Sequence, residues 1–301
     1  MFHLQENKLS QLCRWWKEAK KIVVLTGAGI STSAGVADFR GPQGVWTLEL
    51  EREREKQQLK RKRKNSSRPF GKRRKRKRKP TASTTGTTDH NDHHNTLFPT
   101  ESTTSSSTSG FEAARPTVTH RALTRLVQQN KCNFIVTQNV DGLHQRSGLA
   151  RSKLAILHGC VFEEQCEDCK ALYFRDKEVD SISFQPTGQT CKQCNGVCRD
   201  TLLDWEDALP EDQLCPSEEA CTSADLIVTL GTSLRIEPAA SLPLLCKQQT
   251  TASVKCSKPH IVIVNLQETP KDSASDMLIR ANVDVVMERV AATLLGSNWD
   301  D

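Results

Sequence analysis

Short, unbroken runs of apolar residues recur along the chain, and each has the length of a buried strand. The clearest of them occupy residues 22–25, 134–136, 226–230 and 260–264. A strand that is apolar at every position is typical of a parallel sheet covered on both faces. Residues 283–286, three valines interrupted by Asp284, form a further short segment, which we predict to be the last strand.

Segments with helical spacing of apolar residues separate these runs. We predict helices at residues 4–20, 119–129 and 288–295, each with one apolar side. Strands that alternate with helices indicate an α/β fold, with a mostly parallel sheet layered by helices. No run of 18 apolar residues occurs, so no membrane-spanning helix or membrane partner is expected.

A glycine-rich turn, TGAGIST, follows the first predicted strand at residues 26–32. Small residues at a strand end let the backbone approach a diphosphate, which the N–H groups of a following helix then bind. Thr32 replaces the third glycine of the usual dinucleotide motif, and no acidic residue ends a second strand about 20 residues later. This departure disfavours a hydride-transferring dehydrogenase. The alternative is that these glycines only make the turn.

Two pairs of cysteines have the spacing of a metal site. Cys166 and Cys169 form one C-x-x-C pair, Cys191 and Cys194 form the other, and 21 residues separate the pairs. Two such pairs predict a tetrahedral zinc ion with four thiolate ligands and no open position, hence a structural ion. Cys198 is a possible substitute ligand, and unrelated buried thiols are the alternative.

The positive charge of the chain is concentrated in one segment. Residues 60–79 carry 14 Lys and Arg and no acid, so the remainder has a net charge of −8 although the whole chain has +6. We predict that residues 49–110 form a disordered insertion rich in basic residues, Ser and Thr. The basic clusters suit binding to a nuclear import receptor, contact with DNA, RNA or nucleosomes through phosphates, or no partner at all.

The order of motifs along the chain resembles the sirtuins, a family of NAD-consuming protein deacylases. The shared motifs are GAGIS at 27–31, DFRG at 38–41, QNVDGLH at 138–144, HG at 158–159, the paired C-x-x-C, GTSL at 231–234 and VNLQ at 264–267. The stretch RDTLLDWEDALP at 199–210 is most similar to class IV, the branch with the nuclear sirtuins 6 and 7. The resemblance therefore implies a nuclear protein.

The resemblance implies a Rossmann-type domain and a small zinc-ribbon domain, with NAD and an acyl-lysine meeting between them. The expected Rossmann-type domain comprises residues 1–48, 111–160 and 206–296, and the expected zinc-ribbon domain comprises residues 161–205. The implied cofactors are NAD as co-substrate and one structural zinc ion.

The family's site residues map onto specific positions of this chain. The implied catalytic residues are His158, Asn139 and Asp141. His158 would be the base, preferred over His144 because it precedes glycine, and Asn139 and Asp141 would hold the ribose and the nicotinamide carboxamide. A neutral imidazole suits this role, since histidine titrates near neutrality. The implied NAD contacts are Gly27, Ala28, Gly29, Thr32, Asp38, Phe39, Arg40, Trp46, Gln138, Asn139, Asp141, His158, Gly231, Thr232, Ser233, Asn265, Leu266, Gln267 and Val283.

The leading functional hypothesis is NAD-dependent removal of acyl groups from histone tails or other nuclear proteins. This reaction would release nicotinamide and an O-acyl-ADP-ribose. The alternatives are a protein mono-ADP-ribosyltransferase and a non-enzymatic chromatin-binding protein.

Overall fold

A computed structural model describes residues 2–38, 110–204, 206–248 and 258–301. Its ten strands are β1 Ile22–Thr26, β2 Phe134–Thr137, β3 Leu154–Ile156, β4 Glu163–Cys166, β5 Leu172–Phe174, β6 Pro186–Thr190, β7 Val197–Asp200, β8 Leu226–Leu230, β9 His260–Val264 and β10 Met277–Ile279. Its α-helices are α1 Phe2–Glu18, α2 Gly110–Ala113, α3 Val118–Gln128, α4 Leu143–Arg146, α5 Glu211–Ser223 and α6 Val283–Leu295.

Six strands form a parallel sheet in the order β10-β9-β8-β1-β2-β3. Strand β1 alternates between two cores: Ile22 and Val24 join one apolar cluster, and Val23 and Leu25 join the other. Helices α1, α3 and α6 cover the first face; α5 and the 3-10 helix Ala239–Lys247 cover the second. The apolar runs are unbroken because both faces of the sheet are buried, which confirms the predicted α/β fold with helices on both sides.

The remaining four strands form a separate antiparallel sheet in the order β5-β4-β7-β6. Its buried centre is small and consists of Cys166, Cys191 and Cys198, with Ala171 and Tyr173 packed beside them. So small a core rarely suffices to hold a sheet together without a metal or disulfides. This composition agrees with the zinc-ribbon expectation, while the exact domain limits remain a prediction.

The prediction of a last strand at residues 283–286 is wrong. These residues begin helix α6, and the last strand is instead the shorter β10. The side chain of Asn282 accepts a hydrogen bond from the backbone N–H of Asp284 at 2.8 Å, which caps the helix. Helical spacing then buries one side of α6. Its buried residues are Val283, Val286, Met287, Val290 and Ala291.

The other predicted elements are confirmed with small shifts at their ends. The predicted helices 4–20 and 119–129 correspond to α1 and α3, and the four clear apolar runs correspond to β1, β2, β8 and β9. Within the described ranges no helix is both long enough and apolar enough to cross a bilayer. The predicted insertion, except for its last residue, lies outside the described residues.

The cap of α6 gives a direct test of where this helix begins. We expect Asn282→Ala to lower the free energy of unfolding by about 1 kcal/mol, because the N–H of Asp284 loses its acceptor. Urea titration followed by circular dichroism measures the change, and Asn282→Asp serves as the control that keeps the cap. An alanine variant as stable as the parent chain would contradict this helix start.

Candidate functional site

Most of the predicted site residues lie at the carboxyl-terminal ends of the strands of the main sheet. The carboxyl ends of β1, β2, β8 and β9 lead directly into residues 27–31, 138–141, 231–233 and 265–267. Strands β1 and β8 lie side by side where the order of strands along the chain reverses. Ligands of open α/β sheets bind in the crevice at such a point.

Two glycine turns make close backbone contact across this crevice. The N–H of Gly29 donates to the carbonyl of Gly231 at 2.8 Å, and the N–H of Gly27 donates to that of Leu230 at 3.0 Å. A Cβ atom on Gly29 would lie 2.8 Å from the Cα of Gly231, and Gly231 itself has φ of +60°. The two turns can therefore pack this closely only because these residues are glycines. This structural role is separate from any contact with a ligand.

A buried hydrogen-bond network connects the glycine turn after β1 to the loop after β2. The hydroxyl of Ser31 donates to Asp141 Oδ2 at 2.6 Å, and Asn139 Nδ2 donates to Ser31 Oγ at 3.2 Å. The other oxygen of Asp141 accepts from the N–H of Leu143 at 2.9 Å. All three polar side chains are almost fully buried, so their orientations are fixed. Ser31 was missed as a site residue, although it belongs to the GAGIS motif.

His158 lies just beyond β3 with its imidazole oriented by the loop after β2. Its Nδ1 is 3.1 Å from the carbonyl oxygen of Gln138. A carbonyl only accepts hydrogen bonds, so Nδ1 carries the proton and Nε2 is left as an acceptor. Burial lowers the pKa of His158, and the hydrogen bond to Gln138 opposes part of this shift. The imidazole is consequently neutral near pH 7.

The second candidate base, His144, lies within the core. Its Nε2 is 3.0 Å from the hydroxyl of Thr26, and its ring contacts that of His120 at a centroid distance of 4.7 Å. Burial lowers the pKa of both histidines to about 3. A buried, uncharged ring bonded to the end of β1 fits a structural role, which favours His158 as the base.

The backbone after β7 supports the position of His158. The N–H of Leu203 donates to the carbonyl of His158 at 3.3 Å, and Cys160 N–H donates to Thr201 Oγ1 at 3.1 Å. Gly159 has φ of +76°, and a Cβ there would lie 1.8 Å from the carbonyl oxygen of Thr201. The glycine after His158 is thus required by this close approach.

Some of the other predicted NAD contacts are hydrogen-bonded to the loops around His158, and others lie farther along the crevice or outside the described residues. Gln138 Nε2 donates to Thr232 Oγ1 at 3.0 Å, which links the loops after β2 and β8. Thr32 is exposed, and Val283 is buried at the start of α6, which packs against Ala28–Ile30. Asn265 is half-buried, and Leu266 and Gln267 are exposed; all three lie just beyond β9. Phe39, Arg40 and Trp46 lie outside the described residues, and Asp38 lies at the edge of them.

The four predicted metal ligands converge on one point of the small sheet. The sulfur atoms of Cys166, Cys169, Cys191 and Cys194 all lie within 4.8 Å of one another. Two Sγ–Sγ distances are 3.4 Å, between Cys166 and Cys194 and between Cys169 and Cys191. Four sulfurs at 2.3 Å from a tetrahedral zinc would lie about 3.8 Å apart, so the cluster fits zinc closely.

Hydrogen bonding prepares one of these thiols for metal binding. The hydroxyl of Tyr173 lies 3.1 Å from the sulfur of Cys191 and lowers the pKa of this thiol to about 6. The thiolate is the form that binds zinc. Cys198 is fully buried opposite Cys166 on the neighbouring strand and is outside the group of four, so it is not needed as a ligand.

Comparison with known proteins identifies the family. The profile described as "Sir2 family" matches residues 99–238. An NAD-dependent protein deacetylase named Sirt6 from Drosophila melanogaster is 33% identical over 96% of this chain and 75% of its own length. The chain belongs to the Sir2 family. The resemblance to sirtuins found in the sequence is thereby confirmed.

Other sirtuins match over the same region. The NAD-dependent protein deacetylase SRT1 from Arabidopsis thaliana is 39% identical over 97% of this chain but 50% of its own length. The chain thus spans about half the length of that relative. A solved complex titled "Sir2-p53 peptide-NAD+" is 27% identical, with a TM-score of 0.56, and the match covers 93% of this chain and 95% of the solved one.

The cysteine cluster of this sirtuin yields a prediction about metal content. We expect the purified chain to contain one zinc per molecule. Cys169→Ser should lose most of this metal because only three thiolates remain, whereas Cys198→Ser should keep it. Inductively coupled plasma mass spectrometry measures the zinc. Loss of zinc from Cys198→Ser with retention in Cys169→Ser would contradict the assigned ligand set.

Proposed function

We propose that this sirtuin is an NAD-dependent protein-lysine deacylase, with His158 as its base. The observation that carries the proposal is the imidazole of His158, whose Nδ1 is bonded to the carbonyl of Gln138 and whose Nε2 is left as an acceptor. The names of the Drosophila and Arabidopsis relatives, both NAD-dependent protein deacetylases, support it.

The residues of the crevice suit the parts of NAD in a definite order. The turn at Gly27, Ala28, Gly29 and Thr32 would bind the diphosphate, and residues 231–233 with Asn265, Leu266, Gln267 and Val283 would take the adenosine. The loop with Gln138, Asn139 and Asp141 would take the nicotinamide ribose and the carboxamide. The backbone N–H groups of Gly27 and Gly29 already bond to Leu230 at the end of β8 and to Gly231 just after it, so the diphosphate would meet other groups of this segment.

The hydrogen bonds of Asp141 and His158 suggest different roles for the two residues. Both oxygens of Asp141 are engaged by Ser31 and Leu143, so we assign Asp141 to orienting Ser31 and Asn139 toward the substrate. Bound NAD would supply a ribose carbon from which nicotinamide departs when the acyl-lysine oxygen attacks. His158 Nε2 would then accept the proton of a ribose hydroxyl. The lowered pKa keeps this nitrogen unprotonated at neutral pH.

The zinc site would have a structural role and the basic segment a targeting role. Four thiolates leave no open coordination position for a substrate, so zinc would hold the small sheet beside the crevice. Histone tails are the proposed substrates because a basic peptide suits the acidic remainder of the chain, which has a net charge of −8 once residues 60–79 are set aside. We propose nuclear import, and contact with DNA, RNA or nucleosomes, through residues 60–79.

Replacement of the proposed base tests the function directly. The chain is incubated with NAD and histone peptides carrying acyl groups from acetyl to myristoyl, and mass spectrometry follows peptide, nicotinamide and O-acyl-ADP-ribose. We expect turnover that falls at least about 100-fold in His158→Tyr, since general-base catalysis contributes this much. Zinc content and melting temperature of the variant verify its fold. ADP-ribose found covalently on protein would instead indicate the transferase, and no turnover of any peptide would contradict the proposal.

The pH dependence of the reaction tests the protonation state of His158. Because burial lowers its pKa, the neutral form persists below the ordinary histidine value of about 6.5. Activity should therefore be retained as the pH falls from 7.5 to 6.5 and be lost only below that range. The measurement is kcat/KM for NAD from pH 7.5 down to values below 6.5, with zinc content determined at each pH as a control. A midpoint above 6.5 would argue against a buried neutral base.

A further inference from the structure

Asp284, the second residue of α6, connects three parts of the chain through its carboxylate. Oδ2 accepts a hydrogen bond from Ser33 Oγ at 2.6 Å. Oδ1 accepts from both the N–H and the hydroxyl of Thr119, at 3.0 and 2.6 Å. One half-buried side chain thus joins α6, the first turn of α3 and the segment that follows the glycine turn.

The bonded groups lie on both sides of the long segment at residues 39–109. Ser33 belongs to the 3-10 helix Thr32–Ala34, shortly before that segment, and Thr119 follows it at the start of α3. A second contact reinforces this junction, because the hydroxyl of Thr117 donates to the carbonyl of Ile30 at 3.0 Å. The described residues on either side of positions 39–109 are therefore held together directly beside the glycine turn.

Electrostatics favour the ionised carboxylate at this junction. Burial alone would raise the pKa of Asp284, but the hydrogen bonds from Ser33 and Thr119 lower it below its usual range. Asp284 also lies in the first turn of α6 and accepts from a first-turn N–H of α3. Two helix N-termini, each with partial positive charge, thus converge on one negative group.

We propose that Asp284 is a positioning residue for the NAD-binding turn. It holds Ser33, and through Ser33 the adjoining Thr32 and the glycine turn, in a fixed relation to α3 and to Val283. This role rests on the proposed function, since the turn matters only if it binds NAD. Both carboxylate oxygens of Asp284 are bonded to Ser33 and Thr119, so we expect its loss to weaken NAD binding and to leave the chemical step nearly unchanged.

The test compares Asp284→Asn, Ser33→Ala and the double variant with the parent chain. The asparagine can still accept from Thr119, but its NH2 group can only donate to Ser33 Oγ, so the bond from the Ser33 hydroxyl to a charged carboxylate is lost. We expect Asp284→Asn to raise KM for NAD about tenfold with kcat within twofold, and Ser33→Ala to raise it about threefold. The double variant should be no weaker than Asp284→Asn alone, because both changes remove the same charge-assisted hydrogen bond.

Titration calorimetry with ADP-ribose gives a second measurement that does not depend on turnover. The matched control is Asp212→Asn, which removes a first-turn acid from α5 whose described hydrogen bond is to the adjacent Gln213. This control should leave ADP-ribose affinity and KM unchanged. Ser33 is exposed, so Ser33→Ala keeps the test informative if Asp284→Asn fails to fold.

The outcomes distinguish this role from the proposed function itself. Normal ADP-ribose binding by the parent chain together with unchanged binding by both single variants would overturn the positioning role and leave the proposed function intact. Additive losses in the double variant would show that Asp284 does not act through Ser33 and would also overturn it. A parent chain that binds neither NAD nor ADP-ribose would overturn both.

Discussion

The close approach of two backbone turns at the centre of the main sheet constrains the rest of the site. The turn after β1 and the turn after β8 contact each other so closely that Gly29 and Gly231 leave no room for a Cβ atom. Because β1 and β8 are adjacent and parallel, this contact also fixes where their neighbours β2 and β9 present their loops. The backbone contact between these two turns therefore sets the position of the crevice.

Buried polar side chains then secure the loops to this backbone frame. Ser31, Asn139 and Asp141 satisfy one another, and Gln138 connects Thr232 with His158. Such networks are stable only when nearly every member has a partner, since an unpaired buried polar group is costly. The orientation of His158 thus depends on contacts from two loops, and the segment that follows β7 supports it through Thr201 and Leu203.

Local sequence patterns predicted the features that depend on neighbouring residues in the chain. The buried strands were predictable because both faces of the sheet are covered, and the cluster of four cysteines was predictable because two C-x-x-C pairs have the spacing of a zinc site. The prediction failed at residues 283–286, where three valines around Asp284 have the appearance of a strand. There the cap at Asn282 and packing against the sheet determine a helix, which shows tertiary context overriding local propensity.

Residue types and their spacing were enough to predict the fold class, the cluster of four cysteines and the motifs at the carboxyl ends of the strands. The contacts between these motifs became visible only in three dimensions. The tertiary structure placed Ser31 against Asp141, oriented Nδ1 of His158 toward Gln138, buried His144 in the core and joined Ser33 to Asp284. The physical reason is that these contacts link residues far apart in the chain, whose distances are fixed by strand order and packing rather than by any local pattern.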